Sequence, residues 1–227
     1  MGRDPGMSLR VLLASGILVL AVLGGLAIAE PPAIPPGELT LETLMRRMAA
    51  SSGVVANFHE VKELALLDAP LDSRGTLHFV APDRLLRETT SPNVARLIVQ
   101  DERISYRDAA GSEDIDLAEN PVARQFVDNL IVLFNGDLPA LRDRYEIEFA
   151  ADGRAWRLAL TPRRAAMRHF IARIALSGDG PALQQLVINE ADGDRTTTTF
   201  TDVVTDHTFA DAELKRLFHA TPGPTDP

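Results

Sequence analysis

Apolar positions along the chain follow two alternating periods. Leu41, Leu44, Met45 and Met48 recur at i, i+3, i+4 and i+7 behind Thr40, a good N-cap, and predict an amphipathic helix over about 40–52. From Gly53 the pattern shortens to β segments. Apolar stretches at 54–66, 73–80, 84–90, 94–99 and 104–107 are separated by turn signals at Pro82-Asp83, Ser91-Pro92-Asn93 and Gln100-Asp101-Glu102. Turn signals about ten residues apart mark an antiparallel sheet that curls into a sandwich or barrel. The helical period then returns. Asn120 is a good N-cap, Pro121 sits where its missing N–H costs nothing, and Asn135-Gly136 reads as a C-cap, so a helix is expected over 121–135. Val122, Phe126, Leu130, Leu133 and Phe134 share one face of it, and Val127 and Ile131 widen the apolar surface. Strands resume at 144–149 and 156–161, joined by Asp152-Gly153, then at 170–176 and 183–188. A Thr-rich strand follows at 195–204, and a short helix is expected at 211–217. The pattern reads as helix, about five strands, helix, about five strands, with no repeat of solenoid period. The expected class is mainly β (α+β): a long curled antiparallel sheet with helices covering its concave apolar side.

The longest apolar run lies ahead of this pattern. Met7-Ser-Leu-Arg10 precedes an apolar stretch from Val11 to Ile28, and Ala27-Ile28-Ala29 ends it. A basic start, an apolar centre and a small-x-small end make a signal peptide over 1–29, with cleavage after Ala29 and export to the periplasm. The other reading is an uncleaved anchor, since the run is near the lower limit for a spanning helix. Residues 30–39 hold four prolines and one glycine and read as a stiff linker. One domain is expected over 40–223, with 224–227 as a tail.

Charge and composition narrow the function. The 227-residue chain carries a formal charge of −9; the leader, with Arg3, Arg10 and Asp4, contributes +1, so its removal leaves −10. An acidic chain repels phosphate backbones, which argues against nucleic acid and against unaided binding to anionic bilayers. No cysteine is present, which removes disulfides, thiolate metal sites, cysteine nucleophiles and the lipidated N-terminal cysteine of a bacterial lipoprotein. The expectation is an untethered monomer.

Candidate chemistry is sparse. G-x-S-x-G, P-loop, H-E-x-x-H and G-x-G-x-x-G patterns are all missing. The five histidines show no metal-pair spacing, although His59 and His78 could face each other across adjacent strands; the bland reading is surface or rim histidines. Asp114 and Asp116 share a strand face and could form a carboxylate pair joined by Glu60, a coincidence that 32 acidic residues readily produce. No catalytic residue, metal or cofactor is expected. The apolar mass has two readings that pattern alone does not separate. It could form a cavity for an acyl chain, where each buried CH₂ contributes about 0.8 kcal/mol, or a dry core.

Several stretches resemble one family. Asn57-Phe58-His59-Glu60, Gly75-Thr76-Leu77-His78-Phe79, Pro82-Asp83-Arg84, Ser91-Pro92 to Leu97-Ile98-Val99, Asp192-Gly193 before Phe200-Thr201-Asp202-Val203, and Leu217-Phe218 to Pro222 are similar in order to the periplasmic outer-membrane lipoprotein carriers, the LolA family. The resemblance covers about 40–223 and implies an unclosed β-barrel with helices over an apolar cavity that receives lipoprotein acyl chains. It also implies loading by an inner-membrane ABC transporter and delivery to an outer-membrane receptor. On that reading the cavity is lined by Phe58, Leu77, Phe79, Leu97 and Tyr106 from strands and by Leu44, Met45, Met48, Phe126, Leu130 and Leu133 from helices. The family's Arg before the turn proline, which ties barrel to lid, is Ala81 here. Arg84 and Arg87 are candidates to replace that latch; the bland reading is two solvated strand arginines. Such departures mark a divergent member, whose cargo could be a glycolipid or polyketide-derived lipid. Two other functions compete: an interaction or assembly protein with a filled core, and a secreted hydrolase with a dispersed site.

Overall fold

The structure, a computed structural model, describes residues 39–218; the leader and most of the Pro-rich linker lie outside the described residues. Helix α1 (Leu41–Ala49) begins where Thr40 Oγ1 accepts a hydrogen bond from the Thr43 amide at 3.1 Å, with Glu42 in its first turn and Arg46 and Arg47 in its last, as the helix dipole favours. Six strands follow: β1 (Gly53–Glu63), β2 (Leu71–Val80), β3 (Arg84–Ser91), β4 (Ala95–Gln100), β5 (Arg103–Asp108) and β6 (Gly111–Asp116). Helices α2 (Pro121–Phe134) and α3 (Leu138–Arg144) lead to β7 (Tyr145–Asp152) and β8 (Ala155–Pro162). The short α4 (Ala165–Arg168), β9 (Ile171–Asp179), β10 (Ala182–Glu190), β11 (Arg195–Val204) and α5 (Asp211–Phe218) complete the described chain.

All eleven strands form one antiparallel sheet in the order β6-β5-β4-β3-β2-β1-β11-β10-β9-β8-β7. The first and last strands meet in the middle, with Phe58 opposite Phe200. The edge strands β6 and β7 are not paired with each other, so the sheet is an unclosed barrel. The chain between these two edges is α2 and α3. Ala123, Val127, Val132 and Leu133 of α2 and Leu138 and Leu141 of α3 are buried in the same apolar cluster as the inward residues of the strands. The helices therefore lie against the concave side.

The structure has eleven strands where the pattern reads about ten, and it contains α3, which the pattern missed. Seven residues are too short for a 3.6-residue period to show. The available signal was Asp137, whose carboxylate accepts from the Ala140 amide at 3.0 Å, with a proline in the first turn.

The convex face carries a smaller cluster. Val80, Leu86 and Ile98 point outward and are covered by Leu217 and Phe218 of α5. Arg96 helps hold that helix through a hydrogen bond to the Leu217 carbonyl, and Gln100 Nε2 donates to the Phe218 carbonyl at 3.2 Å.

Candidate functional site

Strand alternation sorts the inward residues into two zones along the strand direction. The end nearest the β2–β3 turn is apolar. There β1 presents Ala56 and Phe58, β2 presents Phe79 and Leu77, β3 presents Leu85, β4 presents Val99 and Leu97, and β5 presents Ile104. Leu44, Met45 and Met48 of α1 and Leu133 of α2 pack on them, and Phe134 stacks on Phe79 with ring centroids 4.9 Å apart. Tyr106 is partly buried at the margin of this zone. In this state the helices close tightly on the sheet. The gap between Met48, Val54, Leu77, Phe134 and Phe200 is only about 40 Å³.

The opposite end of the same concave face is polar. Continuing inward along β1 come Glu60 and Lys62, along β3 Arg87 and Thr89, and along β11 Thr198 and Thr196. Arg87 Nη1 and Nη2 donate to the two Glu60 carboxylate oxygens at 3.2 and 3.1 Å. Nη2 also donates to Ser73 Oγ at 3.3 Å, and Thr198 Oγ1 donates to Glu60 Oε2 at 3.1 Å. The guanidinium lies 4.1 Å from the centre of the Phe58 ring, at the junction of the two zones. Lys62 is buried beside the pair, and burial lowers its pKa while Glu190, Glu60, Asp194 and Asp192 act to raise it. Glu190 is 4 % exposed and its Oε1 has no hydrogen-bond partner among the described residues. Burial, reinforced by Asp192, pushes its pKa up to about 10 against the pull of Lys62. Over this zone opens a cavity of about 610 Å³, reaching to Pro70, Pro92, Tyr106 and Asp108.

The model of a family described as outer membrane lipoprotein carrier protein LolA-like matches residues 33–221. The chain belongs to this LolA-like family. Among solved structures, it is similar to a LolA superfamily protein from Nitrosomonas europaea (10 % identity, 77 % of this chain and 96 % of that one, TM-score 0.42). It is also similar to a putative outer membrane lipoprotein-sorting protein domain from Vibrio parahaemolyticus (10 %, 78 % and 96 %, TM-score 0.42) and to the lipoprotein LppX from Mycobacterium tuberculosis (12 %, 75 % and 98 %, TM-score 0.39). No curated protein matches the chain in sequence.

Most of the LolA-like cavity set comes together in space. Phe58, Leu77, Phe79, Leu97, Leu44, Met45, Met48 and Leu133 are buried in one cluster, with Tyr106 packed against it. The side chains of Phe126 and Leu130 lie outside the described residues. The two latch candidates part company. Arg84 lies on the convex side, 5.5 Å from the Phe218 ring, because it is an outward neighbour of inward-facing Leu85. Arg87 faces inward and, at 6 % exposed, is not a solvated strand arginine. The tie between the β2–β3 turn and α2 is Asn135, whose Nδ2 donates to the Pro82 carbonyl at 2.7 Å. It joins barrel to helix beside Ala81.

Two other expected groupings do not form. Asp114 and Asp116 flank inward-facing Ile115 and so sit on the face opposite Glu60, which excludes a three-carboxylate site. Asp114 accepts from Ser105 Oγ instead. His78 pairs in register with Val55, four residues along β1 from His59, so the two histidines do not face each other. His59 contacts Asp72, and His78 lies 3.7 Å from Glu88. The residues that the sequence reading missed are Lys62, Glu190, Thr196 and Thr198. Their signal was the i, i+2 continuation of the inward faces of β1, β10 and β11, masked by the usual exposure of charged and polar residues.

Proposed function

We propose that this protein is a periplasmic, non-enzymatic carrier that shields the acyl chains of a lipoprotein or a related lipid between its concave sheet and α1 and α2. The supporting observation is the unpaired seam between β6 and β7, with helices rather than strands packed against the apolar concave face. A closed barrel is opened only by breaking a ladder of backbone hydrogen bonds. Helices held by side-chain packing shift more readily, because few backbone bonds tie them to the sheet. On this reading the chain is exported through a signal peptide cleaved after Ala29. It is loaded by an inner-membrane transporter and unloaded at an outer-membrane receptor.

The small apolar gap favours a second reading, an interaction protein of the same fold with a filled core. A space of about 40 Å³ holds little more than a water, so an acyl chain enters only if the helices move. Leu133→Glu separates the two. Leu133 is buried between α2 and the sheet. In a carrier the helix lifts and water reaches the carboxylate, so melting changes little while uptake of a fluorescent fatty acid falls at least tenfold. In a filled core the unpaired charge costs several kcal/mol, on the order of 3–5, and the fold is lost. The experiment uses exported protein whose N-terminal sequence starts at Glu30. Loss of folding, with no fatty-acid uptake by the unsubstituted protein, contradicts the carrier reading.

A further inference from the structure

We infer that the polar cavity over Glu60, Lys62 and Arg87 seats the cargo's head group, and that this head group is uncharged and bears both hydrogen-bond donors and acceptors, as hydroxyls or amides do. The inference rests on the carrier reading and specifies which end of the cargo lies where.

The first observation is the polarity gradient. The inward residues of β1 run Ala56, Phe58, Glu60, Lys62, and those of β5 run Ile104, Tyr106, Asp108. In β3 they run Leu85, Arg87, Thr89, and in β11, read backwards, Phe200, Thr198, Thr196. In register, the first polar position of each of these strands falls within two inward positions of the others, all toward the same end of the concave face, although neighbours run in opposite directions. A core built only for stability gains nothing from a buried Glu60–Arg87 pair, which apolar residues of similar volume replace without loss. An amphiphile lying along the strands, its chain under the helices and its head at the far end, matches the gradient. The 610 Å³ of space is at that end.

The second observation concerns charge. Among the residues lining the cavity, strand alternation turns two cationic side chains inward, Lys62 and Arg87, and two acidic ones, Glu60 and Asp108. The acids are also committed to protein donors. Glu60 accepts from Arg87 and Thr198, and Asp108 accepts from the Tyr106 hydroxyl at 3.0 Å and from the Ala110 and Gly111 amides. A charge-balanced wall returns little to an ion that must shed its water. Groups that both donate and accept find partners on it, including the hydroxyls of Ser73 and Thr89. Sugar hydroxyls and peptide amides share that chemistry.

The test is calorimetric binding of four ten-carbon probes below their micelle concentrations: decyl maltoside, an N-decanoyl dipeptide amide, decanoate and decyltrimethylammonium. One or both neutral probes should bind about tenfold more tightly than either ion, a difference of about 1.4 kcal/mol. The maltoside and the amide distinguish a glycan head from a peptide head. Lys62→Met should shift the ranking toward decyltrimethylammonium, and Lys62→Arg should keep the original ranking. Asp108→Asn, at the cavity margin, should shift it toward decanoate even if Lys62→Met fails to fold. An ion bound as tightly as both neutral probes, or a ranking unmoved by the charge changes in the folded variants, overturns the head-group assignment and leaves the carrier reading standing. Binding of none of the four overturns both.

Discussion

Glu190 shows at the scale of one residue how the polar end is built and what it costs. Its carboxyl is buried on β10 opposite Ile171, with Asp192 and Asp194 nearby, and burial holds its pKa near 10. Between the ordinary carboxylate value and about 10, the folded chain keeps a proton there that the unfolded chain has released. Stability therefore falls as pH rises through that window, and the loss from this group is absent below it. Glu190→Gln removes the titration while keeping the shape. The variant should melt at the same temperature as the parent near pH 4 and at least about 2 °C higher near pH 9, the shift that roughly 1 kcal/mol produces in a domain of this size. An equal difference at both pH values would show that the carboxyl does not titrate across the window. Such residues were the least legible in the sequence. Lys62 and Glu190 look like surface charges until the alternation of their strands is fixed, and a one-residue slip reverses the face. Phe58, Leu77, Phe79 and Leu97 were legible because apolar residues at alternate positions have only one inexpensive side to occupy.

Among the elements, α1 and α2 were readable from caps and period, and their placement is set by a detail that pattern does not encode. Gly136, just past α2, has φ +59°, and a Cβ there would lie 2.0 Å from the Met45 carbonyl oxygen of α1. The two helices touch backbone to backbone at this point, beside the Asn135–Pro82 bond. Gly153, in the β7–β8 turn, shares φ +59° but has open space around it. Gly136→Ala and Gly153→Ala therefore both bear the backbone penalty of about 1–2 kcal/mol, and only Gly136→Ala must also push α1 from α2. Its loss of melting temperature should exceed that of Gly153→Ala by several degrees and be accompanied by faster fatty-acid uptake. Equal losses would mean that the helix contact contributes nothing. Helix α3 escaped notice because the cap-and-proline signal at Asp137 is too brief to outweigh a missing period.

At the scale of the whole molecule, the curled sheet was legible from turn spacing, whereas the seam and its position were not. Strand number and edge identity depend on which strands pair, and no local pattern states that β1 joins β11 rather than β6 joining β7. The consequence is a concave face with helices across it and two ends of opposite polarity. The chain carries its own probe of that space. Trp156 is the only tryptophan; it is buried in the concave cluster on β8, its Nε1 donating to the Gly180 carbonyl at 2.9 Å. The most direct test of a lipid-carrying concave face is the quenching of Trp156 fluorescence by fatty acids brominated along the chain. Saturable quenching that unbrominated fatty acid reverses is the expected result. Fluorescence unchanged by the brominated chain, or quenched only in linear proportion to its concentration, would contradict a cargo in this space.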